Sequence, residues 1–162
     1  MSTEPESEEQ TMTFKLLHDG LDCNCIESAT EDGSSIFLRR IDKEEVRERD
    51  FYSPWERYAK QGKDYPRELK HCKDKCEARG VSVDKFDNTN ETFVEMCKVA
   101  RSFCPVGRKY FCKFTLSANS GVFNYSPTEK SDVHYDLYKC DAFTLACVSV
   151  IGTCEIPSNS QS

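Results

Sequence analysis

The stretch HCKDKCEARG sets Cys72 and Cys76 four residues apart, with His71 beside the first. Cys97 and Cys104 follow on a second segment of helical pattern. Thiolates are soft donors that hold zinc in tetrahedral sites, often from closely spaced pairs. A zinc centre from Cys72, Cys76, Cys97 and Cys104 is therefore one reading. His71 points about 100° away from Cys72 on a helix and makes a poor fifth candidate. A second reading is a disulfide ladder, Cys72 to Cys104 and Cys76 to Cys97. Its spacing is against it: four helical residues rise ~6 Å and seven rise ~10.5 Å. The third reading is plain packing, because free cysteine behaves as a small hydrophobe. Leu69, Cys72 and Cys76 share one helix face, as do Phe93, Cys97, Ala100 and Cys104, so packing is favoured and no cofactor is expected. The remaining thiols form no cluster. Cys23 and Cys25 are assigned to opposite sides of an extended segment, and Cys112 and Cys147 to the core, Cys112 on a strand whose alternate residues Tyr110, Cys112, Phe114 and Leu116 read as a buried face.

No catalytic signature accompanies these thiols. A cysteine nucleophile needs a base, and nothing local singles out one of the ten cysteines for one of the three histidines. His134 and Asp136 share a strand face, an arrangement more common in surface hydrogen bonds than in catalysis. Gly-rich phosphate loops and the H-E-x-x-H and G-x-S-x-G motifs are absent. Enzymatic activity is not expected.

Residues 57–85 carry nine bases and five acids. Trp55, Tyr58, Lys63, Arg67 and Lys70 are the candidate binding residues here, since Trp, Tyr and Arg dominate interface hot spots. The interspersed acids argue against nucleic acid and for an ordinary solvated face with intrahelical pairs, although the patch could attract an acidic partner; a protein partner is the expectation. The net charge of −6 is concentrated in residues 1–32, which hold nine acids and one base.

The elements that position these residues read as α+β. Residues 12–17 and 34–41 are expected to pair as an N-terminal hairpin. Helices follow at 43–49, 54–61, 66–79 and 90–103, the second opened by Ser53-Pro54 and the third closed by Gly80. VSV at 81–83 reads as a brief extended piece. Strands at 108–116 and 121–125 and a β-prone run over 133–151, broken near Asp141, form a C-terminal meander. The helices are expected to pack on the combined antiparallel sheet. Residues 11–156 form one domain in this reading, with polar tails at 1–10 and 157–162.

No apolar run reaches the ~18 residues that span a bilayer. The acidic opening MSTEPESEEQ lacks a secretory pattern. Reduced thiols and a cytoplasmic, non-enzymatic, protein-binding role are the expectation. An exported disulfide-stabilised effector or ligand is the first alternative, for a chain whose leader has been removed. A small thiol- or metal-dependent enzyme is the second.

Overall fold

The computed structural model describes residues 12–18, 21–86, 110–129 and 131–155. Six strands, β1 (Phe37–Ile41), β2 (Val81–Lys85), β3 (Tyr110–Leu116), β4 (Gly121–Tyr125), β5 (His134–Lys139) and β6 (Val148–Glu155), form one sheet. Its order is β4-β5-β2-β1-β3-β6, and every pairing is antiparallel. Among the described residues three α-helices accompany it: α1 (Lys15–His18), α2 (Pro54–Lys60) and α3 (Cys72–Arg79).

The order and the connections together require a strongly rolled sheet. β3 and β4 lie four strand spacings apart, which is ~19 Å in a flat sheet. Only residues 117–120 join them, and these turn rather than extend, with Asn119 at φ 60°. The side chains report the same curvature. Phe37 on β1 stacks on Phe123 of β4 with ring centroids 4.0 Å apart, although two strands lie between them. The inner face thus closes on itself. Phe37, Ile41, Val81, Val83, Cys112, Phe114, Phe123, Leu137 and Val148 fill one core, joined by Phe51 from a 3-10 turn at Glu48–Phe51. Alternation along β3 puts Cys112, Phe114 and Leu116 inside as the sequence predicts.

A second apolar cluster lies outside the roll. Phe14, Leu17, Cys23 and Cys25 pack with Val122, Tyr138 and Cys140. The N-terminal segment is thereby held against β4 and β5. Thr30 adds an isolated bridge to Phe123, exchanging both main-chain hydrogen bonds at 3.0 and 2.8 Å.

Several expectations change. There is no N-terminal hairpin: residues 15–18 form a helical turn, and β1 pairs with β2 and β3 instead. VSV belongs to a central strand, because Val81 and Val83 both point into the core. The expected meander is split: β4 and β5 pair, whereas β3 lies between β1 and β6. The 43–49 helix is replaced by bends and the 3-10 turn. There, the Asp50 side chain accepts from the Arg47 N–H at 2.7 Å, a local bond that competes with helix. The third helix begins at Cys72 rather than Pro66; Leu69 is the only apolar anchor in the charged run before it, and short helices need packing. α2 and the break between β5 and β6 fall as expected. Ser53 caps α2 by accepting from Glu56 N at 3.0 Å, and Pro54 follows at the first helical position. The fourth expected helix and both expected tails lie outside the described residues.

Phe37 is wholly buried and meets rings of Phe114, Phe123 and Tyr135. Phe37→Ala should therefore cost about 3–5 kcal/mol, read as a shift of the urea midpoint. A loss under about 1 kcal/mol would mean that the sheet does not close over this ring.

Candidate functional site

α3 carries the cysteines that opened the sequence reading, and each of them is bridged. Cys23 bonds to Cys72 and Cys25 to Cys76. Neither sulfur of α3 is a thiolate available to zinc, and Cys97 and Cys104 lie outside the described residues. No cluster of three potential metal ligands occurs among the described residues. The pairing corrects the proposed ladder and the packing assignment of Cys72 and Cys76. It also corrects the opposed placement of Cys23 and Cys25: Cys23 lies in a bend and Cys25 in a turn, and both sulfurs reach α3. Cys154 is disulfide-bonded as well, while Cys112, Cys140 and Cys147 are free. Burial pushes the Cys112 thiol up to about 12, which leaves it inert. At Cys147 burial raises the thiol, but hydrogen bonds from Ser120, Thr144 and Ser117 prevail and hold it below its ordinary value.

Beside the bridges runs an open groove of about 480 Å³, bordered by Glu27, Lys73, Glu77, Tyr125, Asp136 and Tyr138. Asp136 lies on β5 opposite Ser82 and Asn124. Burial pushes its carboxyl up to about 6, against the pull of His134 and a Ser126 hydrogen bond, with Glu77 adding to the rise. His134 is tied down separately, its Nδ1 lying 2.9 Å from the Ser126 carbonyl oxygen and 3.0 Å from its hydroxyl. The Tyr138 hydroxyl donates to the Cys76 carbonyl at 3.0 Å, fixing α3 to the outer face of the sheet.

The candidate binding residues separate around α2. Trp55 and Arg67 share a recess of about 150 Å³ with Leu21, Tyr65, Leu69 and Arg79. The Arg79 guanidinium stacks on the Trp55 ring at 3.9 Å, a cation–π contact that joins α2 to α3. The Trp55 indole N–H is buried and meets no acceptor among the described residues. Tyr58 sets its ring edge-on to Tyr65 at 5.5 Å and lines a different recess, between α2 and β1. Lys63 and Lys70 are exposed and border neither recess. Lys63 follows the turn at Gly62, whose φ of 69° suits glycine. Arg39 and Arg40 escaped the sequence reading, whereas Arg57, Tyr65 and Arg79 fall within its basic stretch at 57–85. One signal for the β1 arginines was present: in FLRRI, alternation forces one of two adjacent arginines onto the face of Phe37 and Ile41.

No protein-family model, curated protein or solved structure matches the chain. No helix among the described residues is long and apolar enough to cross a membrane.

Two predictions follow from these sites. The bridges span 49 and 51 residues, so the first to close contributes about 4 kcal/mol by loop entropy. The second then closes a ring of only about eight residues and contributes about 2–3 kcal/mol. Replacing either pair with serine should thus cost about 2–3 kcal/mol, and replacing both about 6–7. Guanidinium unfolding of the three variants tests whether the joint loss exceeds the two single losses added together.

For Asp136, the folded value of about 6 lies above the ordinary 3.8, so the native state holds this proton longer than the unfolded chain. Its contribution is complete below the unfolded value and is lost as pH rises through about 6. Asp136→Asn should abolish that part of the decline in a series of unfolding midpoints against pH. An unchanged profile would remove Asp136 as its source.

Proposed function

We propose that this chain is an exported, disulfide-stabilised protein that binds a protein partner and performs no catalysis. The doubled bridge between the 23–25 segment and α3 carries this reading. Structural disulfides belong to oxidising compartments and are rare in the cytosol. A chain of 162 residues can bury enough core to fold without them. Their value is then resistance to unfolding and proteolysis outside the cell. This reading takes the place of the cytoplasmic one.

The binding part of the reading rests on the surface around α2. Trp55, Tyr58, Tyr65, Arg67 and Arg79 are residue types enriched at hot spots, and they are half-buried or exposed around small recesses. Rigid rings held by neighbours lose little entropy when a partner docks.

Parallel expression in a reducing cytosol and through an oxidising secretory route tests the proposal. Peptide mapping without reductant should recover Cys23–Cys72 and Cys25–Cys76 from the secreted product alone. That product should also resist a protease that digests the reduced form. Scrambled pairing, or a reduced form of equal protease resistance and melting temperature, would overturn the reading.

A further inference from the structure

The recess beside Trp55 is cationic at its border and apolar at its walls. Its volume is about 150 Å³. Arg67, Lys75 and Arg79 border it, and no carboxylate is among its described lining residues. Leu21, Leu69 and the rings of Trp55 and Tyr65 complete the lining. Asp22, Asp64 and Glu68 are neighbours of these residues in the chain, yet none of them lines the recess.

The fold fixes these groups before any partner arrives. Lys75 and Arg79 stand four residues apart on α3, so they follow one another along one face. The bridges anchor the same helix at Cys72 and Cys76, about 100° further round from Lys75. Arg79 forms part of the wall, its guanidinium stacked on Trp55 at 3.9 Å. The Trp55 and Tyr65 rings lie side by side, with centroids 6.0 Å apart. Arg67 is exposed and Lys75 half-buried, and neither enters an ion pair within 4.0 Å among the described residues. The charge offered to a partner is therefore that of Arg67 and Lys75.

Size and charge narrow the partner. Sites for small molecules run to ~300–1,000 Å³, so this recess has room for one side chain. Apolar walls favour an aliphatic side chain, and the two cations beside them favour carboxylates on its flanks. The geometry points to a docking site for an acidic segment of a partner protein. One aliphatic side chain sits against Trp55 and Leu69, and flanking Asp or Glu residues meet Arg67 and Lys75. The inference rests on the partner-binding reading and deepens it by naming the partner's chemistry. Peptide probes test the recess on the intact chain, so its failure is distinct from a failure of the disulfide mapping.

The peptides acetyl-EELEE-amide, acetyl-EEAEE-amide and acetyl-QQLQQ-amide are titrated separately into the full, oxidised chain. A ten-nucleotide oligothymidylate serves as a polyanion of another class. Trp55 is the only tryptophan, so its fluorescence and its single indole N–H resonance both report on the recess. The expected result is that acetyl-EELEE-amide shifts that resonance and binds at least about fivefold more tightly than either control peptide. Lys75→Glu replaces attraction by repulsion and should weaken acetyl-EELEE-amide at least about tenfold. Arg67→Glu should weaken it in the same direction. Circular dichroism checks that both variants remain folded. No shift at Trp55, equal binding by either control peptide, tighter binding of the oligothymidylate, or affinity unchanged in a folded Lys75→Glu would overturn the assignment. Should Lys75→Glu misfold, the comparison of the three peptides on the unsubstituted protein decides alone.

Discussion

Closure of the sheet on Phe37 is the constraint from which the rest of the structure descends. A six-stranded antiparallel sheet has an apolar face to bury, and few helices are present among the described residues to bury it. Rolling solves this by turning the face inward, so strands remote in the sheet meet through their side chains. The 4.0 Å stack of Phe37 on Phe123 is that meeting. A four-residue link from β3 to β4 is possible only because the roll brings their ends together. Gly121 at the start of β4 serves the pairing with the neighbouring β5: a Cβ there would lie 2.6 Å from the Tyr138 carbonyl oxygen.

The roll leaves an outer face that also carries apolar residues, Val122 and Tyr138 among them. The N-terminal segment covers them, and the two bridges tie that segment to α3. Division of labour follows. The inner core sets the strand order, whereas the bridges fix peripheral pieces whose own apolar area is small. α2 lies against this framework through the partly buried Lys139–Glu56 pair and the Trp55–Arg79 stack. Its two sides therefore present fixed surfaces, with tryptophan and Arg79 on one and Arg57 with tyrosines on the other.

Local signals in the sequence located what local chemistry decides. Ser53-Pro54 announced α2, Gly80 the end of α3, Asp141 the break between β5 and β6, and alternation the inward face of β3. Strand order was out of reach, because it depends on contacts between residues far apart in the chain. β2 shows why: five residues, VSVDK, give little pattern, yet they sit at the centre of the sheet. The bridge partners were closer to legible. Both sets are closely spaced in the chain, Cys23 with Cys25 and Cys72 with Cys76, and a turn-rich segment laid beside α3 was the missing idea. The candidate site was legible in Trp55, Tyr58 and Arg67, which are apparent by residue type. Arg79 acquires meaning only when α3 is placed beside α2, where it stacks on Trp55.

The bridge from Thr30 to Phe123 has a consequence for the reduced chain. β4 ends the sheet on one side, and an unpaired strand edge is a template on which another molecule can add its own strand. Thr30 occupies part of that edge, held near it by the bridged segment just before it. Reduction would loosen this cover without disturbing the inner core. The first harm would then be self-association: molecules still folded at their centres would join edge to edge, so the bridges guard solubility as well as stability.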